Sequence, residues 1–148
     1  MRASCRFAVA VHVLAVLAYK EGDRITSSFL AGSVNTNPVI IRRLLLDLQR
    51  AKLVDTSKGA GSGSRLSRAP GRITLAEIYN AVEDCEPFAK PTRKPNAACP
   101  VGFCIREALE KIFASAFKAL EQDLAKKTLA DVIEQVKASG VCNKGKHD

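Results

Sequence analysis

The chain has 148 residues, of which 47% are hydrophobic and 26% charged, so we expect one domain with an appended element and not a multidomain enzyme. The formal net charge is +8, and the excess lies in residues 1–74, which carry twelve Lys or Arg against four Asp or Glu. Residues 75–148 carry eleven of each. So basic an N-terminal half attracts a polyanion, either nucleic acid or an anionic membrane surface.

Five cysteines, an odd number in a chain of ordinary size, fit reduced thiols in the cytoplasm better than a disulfide framework. They are Cys5, Cys85, Cys99, Cys104 and Cys142. No Cys-x-x-Cys is present, and the two histidines, at positions 12 and 147, lack the spacing of a zinc site. We therefore expect no bound metal.

The first predicted element is a helix over residues 7–19 that is apolar nearly all round, as is typical of a core helix. Residues 1–18 also resemble a signal peptide, because Arg2 and Arg6 precede the apolar run. That run is shorter than the roughly 20 residues that span a bilayer. We favour the core helix, expect no membrane partner, and expect His12 in the core or at a subunit contact.

A helix-turn-helix is predicted next. Residues 26–28 offer caps for a short second helix that gives way at residues 34–36. Asn37 followed by Pro38 is a strong start for a helix over residues 39–52. The predicted core stripe of this second, basic helix is Ile41, Leu44, Leu45 and Leu48. Arg42 and Arg43 then face outward.

Short extended stretches at residues 53–57 and 64–67 flank a loop with three glycines, which predicts a β-hairpin with a flexible tip. The loop lacks the Lys-Ser/Thr of a Walker motif and has no helix after it, so a nucleotide site is disfavoured. Beside a helix-turn-helix, the hairpin is best interpreted as a wing.

The C-terminal half begins with a capping box at residues 74–77 that opens a helix to about Val82. A proline-containing loop follows, and then a long helix from Gly102 to about Leu124 whose wide apolar face predicts a second subunit. The alternative is that this helix packs on its own domain. Thr128 repeats the capping pattern and opens a last helix through Val136. The predicted dimer contacts are Ile105, Leu109, Ile112 and Leu120.

The predicted fold is mainly α with a small two-stranded β wing. Its divisions are a winged helix-turn-helix DNA-binding domain over 1–83, a Pro- and Cys-containing loop over 84–101, a dimerisation helix and C-terminal helix over 102–139, and a tail over 140–148.

In their order and spacing, these pieces resemble the Rrf family of bacterial winged-helix transcription regulators, the family of IscR, NsrR and CymR. The resemblance covers residues 6–136 and is carried by the apolar first helix, the helix capped by Asn37 and ending in Ala51-Lys52-Leu53-Val54, the glycine-rich wing and the segment Ile73–Ile78. It implies a dimeric DNA-binding regulator with an all-α body and a long dimerisation helix.

The cysteines depart from the family's pattern. Cluster-binding members carry three cysteines about five to seven residues apart, whereas here 13 residues separate Cys85 from Cys99 and four separate Cys99 from Cys104. We expect a branch without the cluster-binding triad, and hence no cofactor, with an iron-sulfur cluster as the disfavoured alternative. Cys99 and Cys104 are instead candidate redox thiols, with Cys104 in the first turn of the long helix and Cys99 mobile enough to approach it.

The sequence predicts a cytoplasmic, dimeric, DNA-binding regulator, a repressor of a palindromic operator on double-stranded DNA, and not an enzyme. The alternatives are an iron-sulfur or thiol sensor that uses Cys85, Cys99 and Cys104, and a winged helix that binds only protein. The expected DNA contacts are Ser28, Asn37, Val39, Arg42, Arg43, Lys58 and Arg65.

Overall fold

The computed structural model describes residues 4–140, so most of the predicted tail, including Cys142 and His147, lies outside the described residues. The elements are α1 (Arg6–Tyr19), α2 (Ser27–Val34), α3 (Pro38–Arg50), β1 (Val54–Ser57), β2 (Gly63–Leu66), a 3-10 turn (Pro70–Arg72), α4 (Leu75–Val82), α5 (Pro100–Ala125) and α6 (Leu129–Ala138). The predicted class, mainly helical with a two-stranded antiparallel wing, is confirmed.

One face of α1 lies in the centre of the core, where Ala10, Val13, Leu14 and Leu17 are buried. The opposite face is incompletely covered. His12 is exposed on that face, and its Nε2 lies 3.0 Å from Ser33 Oγ on α2. The expected core position is therefore wrong, whereas the other expected position, a subunit contact, stays a prediction. None of the helices in residues 4–140 is long and apolar enough to cross a membrane.

The helix-turn-helix is held by local caps. Thr26 Oγ1 accepts a hydrogen bond from Phe29 N at the start of α2, and Asn35, at a φ of 62°, ends that helix in the left-handed region. Asn37 Oδ1 accepts from Val39 N at 2.8 Å and so caps α3, with Pro38 at the first helical position. The predicted stripe of α3 is buried as expected.

The C-terminal helix α6 is tied to the N-terminal domain by backbone pairing. Leu129 N donates to Ile73 O and Leu75 N donates to Lys127 O, both at 2.9 Å, across an antiparallel bridge between Thr74 and Thr128. Each of these threonines is the N-cap of a capping box. Leu129 is fully buried, so α6 helps to complete the core that α1 begins.

The long helix α5 begins at Pro100, two residues earlier than expected, with Cys99 as its N-cap. Cys104 is therefore the fifth helical residue of α5. It lies in the second turn and not in the first turn, as the sequence had predicted. None of the 26 residues of α5 is buried in the single chain. Its aromatic edge packs locally, with Phe113 stacked on Phe88 at 5.0 Å between ring centroids and Phe117 at 6.3 Å from Tyr79.

We predict that the capping box of α4 makes stability depend on acid pH. Hydrogen bonding from Thr74 N, followed by Arg68, lowers the pKa of Glu77 below its ordinary value of 4.5. The stabilisation is thus complete above that ordinary pKa and is lost as the pH falls through the lower folded pKa. Glu77→Gln keeps an acceptor but removes the charge, so the variant should be less stable at neutral pH, by a difference that shrinks in acid.

Urea unfolding midpoints measured from about pH 7 to about pH 3 provide the check. Glu134→Gln, which alters an exposed carboxylate on α6, is the control and should leave the wild-type pH profile unchanged. A difference between wild type and Glu77→Gln that stays constant over the whole range would contradict the assignment.

Candidate nucleic-acid interface

A groove of about 570 Å³ runs between the N-terminus of α2, the outer face of α3 and the tip of the hairpin, and we call it the α3–wing groove. Hydroxyl-bearing side chains from α2 and the hairpin form much of its lining. Its cations are Arg42 from α3 and Lys58 from the hairpin tip, and none of the described residues that line it is acidic. The groove is therefore suited to a negatively charged ligand.

The outer face of α3 carries both cations and exposed apolar groups. Arg42 Nε donates to Ser27 Oγ at 3.2 Å, which holds the guanidinium over the groove, and Arg43 is exposed beside it. Val39 and Ile40 are 47% and 53% exposed at the N-terminal end of the helix. This end therefore presents charge and apolar surface to whatever binds there.

The wing is fastened to the helix-turn-helix by a backbone bridge. Ile25 N donates to Ser64 O at 2.9 Å and Ser64 N donates to Ile25 O at 2.8 Å, which joins the residue before α2's cap to β2. Ser64 is 1% exposed, and its Oγ lies 2.9 Å from Thr56 Oγ1 on β1. The hairpin is thereby held beside α2 at one end.

Arg65 lies away from the α3–wing groove. Its Nε is 3.3 Å from Asp55 Oδ2, and the same oxygen accepts from Arg24 Nη2 at 2.7 Å. The hydrogen bond from Arg24 is the main cause that lowers the pKa of Asp55. Since neighbouring residues of a strand point to opposite faces, Arg65 faces away from the buried Ser64 and lines a separate depression with Glu21.

The one acidic residue of α3 is also paired. Asp47 Oδ2 accepts from Arg6 Nη2 of α1 at 2.5 Å, and Asp47 Oδ1 lies 3.4 Å from Arg50 Nη1. Arg6 Nε also donates to Val82 O at the end of α4. A residue of the first helix thus neutralises the carboxylate of α3 from the side opposite the groove.

The structure brings together Ser28, Arg42 and Lys58 of the expected contacts, because all three line the α3–wing groove. Asn37, Val39 and Arg43 are exposed on or beside the first turns of α3. Sequence reasoning missed Ser27, Leu46 and Gln49, which also line the groove. Leu46 and Gln49 follow Arg42 by four and seven residues, a helical spacing that marks one face, so the period of α3 could have identified them.

The four described cysteines, at positions 5, 85, 99 and 104, are exposed and free. Cys99 O accepts from Phe103 N at 2.9 Å, so the backbone of Cys99 takes part in the start of α5. That Cys99 moves toward Cys104 stays a prediction. Five residues of helix rise about 7.5 Å, more than the roughly 7 Å within which Cα atoms can be bridged by a disulfide. A bond between these two thiols would require the first turn of α5 to unwind.

Comparison with known proteins matches residues 3–135 to the Rrf2 family, which is described as iron-dependent transcriptional regulators. YwnA of Bacillus subtilis, provisionally assigned as an HTH-type transcriptional regulator, is 39% identical over 131 residues, which is 88% of this chain and 96% of YwnA. A crystal structure of a provisionally assigned DNA-binding protein is 38% identical, with a TM-score of 0.69 and coverage of 86% of this chain and 98% of that one.

The fold also matches CymR, the global cysteine regulator of B. subtilis, with a TM-score of 0.65 at 22% identity over 91% of this chain and 98% of that one.

The described part of the single chain, residues 4–140, does not form an iron site. In residues 4–140, no three of the His, Cys, Asp and Glu side chains come together as a metal-binding set. The three cysteines that would be candidates are spread over a loop, a helix cap and the second turn of α5. We therefore base no part of the function on a cluster.

We predict that Gly63 is required for the wing. Its φ is +137°, and a Cβ at this position would lie 2.8 Å from Ile25 O, so Gly63→Ala should break the bridge and destabilise the domain by about 1 to 3 kcal/mol. Gly32→Ala is the matched control, because a Cβ there meets no atom within 4 Å and the residue is helical. The control should be neutral or stabilising by up to about 1 kcal/mol in urea unfolding. Equal stability of the two variants would refute the role of the bridge.

Proposed function

The chain belongs to the Rrf2 family of transcriptional regulators, and from this premise we propose that it binds a palindromic operator as a homodimer and acts as a repressor. It is a DNA-binding transcription regulator and not an enzyme. The operator, the dimer and the direction of regulation are the proposal. The proposal also implies that the protein is located in the cytoplasm, where its operator DNA lies.

The α3–wing groove is the observation that carries this proposal. An α-helix fits the major groove of B-DNA, which is about 12 Å wide, and a wing beside it contacts the adjacent backbone. Here the cations Arg42 and Lys58 lie on opposite sides of a groove that has no acidic lining. This arrangement matches a duplex whose base edges are read from α3 and whose phosphates are neutralised from the wing.

The position of each exposed residue around the groove suggests its proposed contact with DNA. Arg42 and Arg43 are proposed to reach base edges, with guanine as the natural bidentate partner of an arginine. Asn37 and Val39 lie at the end of α3 that would enter the groove first, and the exposed methyl groups of Val39 suit a thymine methyl. Ser28 at the N-terminus of α2 and Lys58 on the wing are proposed phosphate contacts. Arg65, which Asp55 holds on the other face, stays a prediction for a flanking phosphate.

The uncovered face of α5 supports the dimer. Ile112 is 61% exposed and Ile105, Leu109 and Leu120 are half-buried on a helix of 26 residues without a buried side chain. At 1.5 Å per residue this helix is about 39 Å long, ample for a two-fold contact between copies. A two-fold axis along α5 would repeat the recognition surface and so require a palindromic operator.

A repressor role needs only that the bound dimer cover a promoter. A recognition surface and a dimerisation helix suffice for that in a chain of this size. The competing function is a winged helix that binds another protein. Binding to DNA releases counterions and therefore depends strongly on salt concentration. A strong salt dependence of binding would distinguish the DNA-binding function from the protein-binding one.

We predict distinct effects for variants of the two cations. A duplex selected from a random pool by the wild-type protein serves as the operator. Arg42→Ala should weaken binding to it by about 1 to 3 kcal/mol and relax specificity at one base pair. Lys58→Ala should weaken binding to every sequence and reduce the salt slope by about one unit. Arg65→Ala tests the flanking contact and should behave like Lys58→Ala.

Arg93→Ala, which changes an exposed arginine in the loop before α5, is the control and should bind like the wild type. Fluorescence anisotropy over a series of salt concentrations measures all four variants. Wild-type affinity in both Arg42→Ala and Lys58→Ala would refute the interface.

We also predict that Ile112→Glu breaks the dimer, because it places a charge inside an apolar contact. Sedimentation equilibrium should show a wild-type dimer and a variant monomer at micromolar concentration. Gln122→Glu, on the polar side of α5, adds the same charge and should remain dimeric. Since Ile112 is largely exposed in the single chain, the helical circular dichroism of both variants should be retained. A monomeric wild type, or a dimeric Ile112→Glu, would contradict the proposal.

A further inference from the structure

A second groove, of about 610 Å³, lies on the face of the molecule formed by α1, α2 and α6, and we call it the α1–α6 groove. Its lining is mainly apolar and includes Val16 from α1, Phe29 from α2 and Ile133 from α6. The groove is separate from the α3–wing groove, with which it shares no lining residue. Neither the DNA contacts nor the dimer contacts proposed above line it.

Large apolar side chains are unusually exposed at this groove. Tyr19 is 56% exposed, Phe29 49% and Val136 44%, although each contributes to the lining. Such a concentration of uncovered apolar surface in a concave site marks a binding site more often than a bare surface. The volume lies within the range of about 300 to 1,000 Å³ that is usual for small-molecule pockets.

The polar groups that line the groove favour a ligand with a negative charge. Lys20 Nζ lies 4.9 Å from the centroid of the Phe29 ring, which places an ammonium group at the edge of the apolar surface. Lys137 lines the groove from α6, and the pair formed by His12 Nε2 and Ser33 Oγ joins α1 to α2 within it. Among residues 4–140, no lining residue of this groove is acidic. The apolar part of a ligand could pack against the aromatic and branched side chains, and an anionic group at its end could contact the lysines.

We propose that the α1–α6 groove binds a small amphipathic organic anion, a carboxylate with an aromatic or branched apolar body. The apolar part packs against Phe29 and Ile133, and the carboxylate accepts hydrogen bonds from Lys20 and Lys137. Aromatic carboxylates of about two fused rings fit the volume without filling it.

A ligand in this groove would contact both the helix-turn-helix and the C-terminal helix. Phe29 and Ser33 belong to α2, the first helix of the helix-turn-helix, whereas Ile133 and Lys137 belong to α6, which follows the proposed dimerisation helix. If binding favours one relative placement of α2 and α6, it changes DNA affinity by the factor by which DNA changes ligand affinity. This regulatory consequence rests on the proposed function, whereas the binding itself does not.

Calorimetric titration of the full chain, in the absence of DNA, tests the site with 1-naphthoate and its neutral analogue 1-naphthamide. Wild-type protein should bind the carboxylate more tightly than the amide. In the double variant Lys20→Gln, Lys137→Gln, naphthoate affinity should fall by about tenfold, because charged hydrogen-bond donors are lost, while naphthamide affinity should change by less than about twofold. Lys126→Gln, just beyond the end of α5, is the matched control and should bind both ligands like the wild type.

Ala8→Trp supplies an independent variant, because Ala8 is exposed and lines the groove, so an indole there should exclude both ligands without disturbing the core. If that variant does not fold, the lysine variants still decide the question. Undetectable binding of naphthoate to wild type at millimolar concentration, or equal affinity in the double lysine variant, overturns the proposal. Protection of the groove by a second copy would appear as absent ligand binding together with a changed sedimentation profile of Lys20→Gln, Lys137→Gln, and would also overturn it.

Discussion

The pair of hydrogen bonds between Ile25 and Ser64 fixes the wing in relation to the helix-turn-helix. Because Gly63 has no Cβ, the strand approaches the Ile25 backbone closely enough to form them. The bridge places the hairpin tip, and with it Lys58, across a groove from Arg42. The interface therefore depends on backbone contacts at its buried end, while its charged tips remain exposed for a ligand.

A similar backbone bridge, between Thr74 and Thr128, ties the last helix to the domain that the first helix begins. Leu129 is inserted into the core, whereas α5, which precedes it, crosses the surface without burying a residue. Residues of α4 and α6 thus contribute to the core, whereas the intervening helix α5 does not. This path leaves the apolar face of α5 at the surface and brings α6 beside α1, where the two helices form part of the α1–α6 groove.

Local rules predicted local features well. The stripe of α3, its Asn37 cap and the capping boxes at Thr74 and Thr128 depend on residues within one turn of each other, so the sequence contains all of their partners. Features with distant partners were mistaken or missed. Arg65 pairs with Asp55 across the hairpin, His12 contacts Ser33 of α2, and α6 docks through a bridge between residues 54 positions apart. The start of α5 was misplaced for a local reason, since Cys99 caps it without a side-chain hydrogen bond and Pro100 is the better signal.

Arginines outside the α3–wing groove pair with the carboxylates of the elements that form it. Asp47 is the acidic residue of α3 and Asp55 that of the hairpin, and each accepts a hydrogen bond from an arginine of another segment, Arg6 and Arg24 respectively. These arginines occupy the carboxylates on the sides that face away from the groove, so Asp47 and Asp55 do not compete for Arg42 or Lys58. In the proposed complex, the duplex would meet cations whose charge is not already neutralised, which favours counterion release on binding. The cations of the N-terminal half therefore include arginines that pair with carboxylates, such as Arg6 and Arg24, and cations that line the groove, Arg42 and Lys58, which are the proposed DNA contacts.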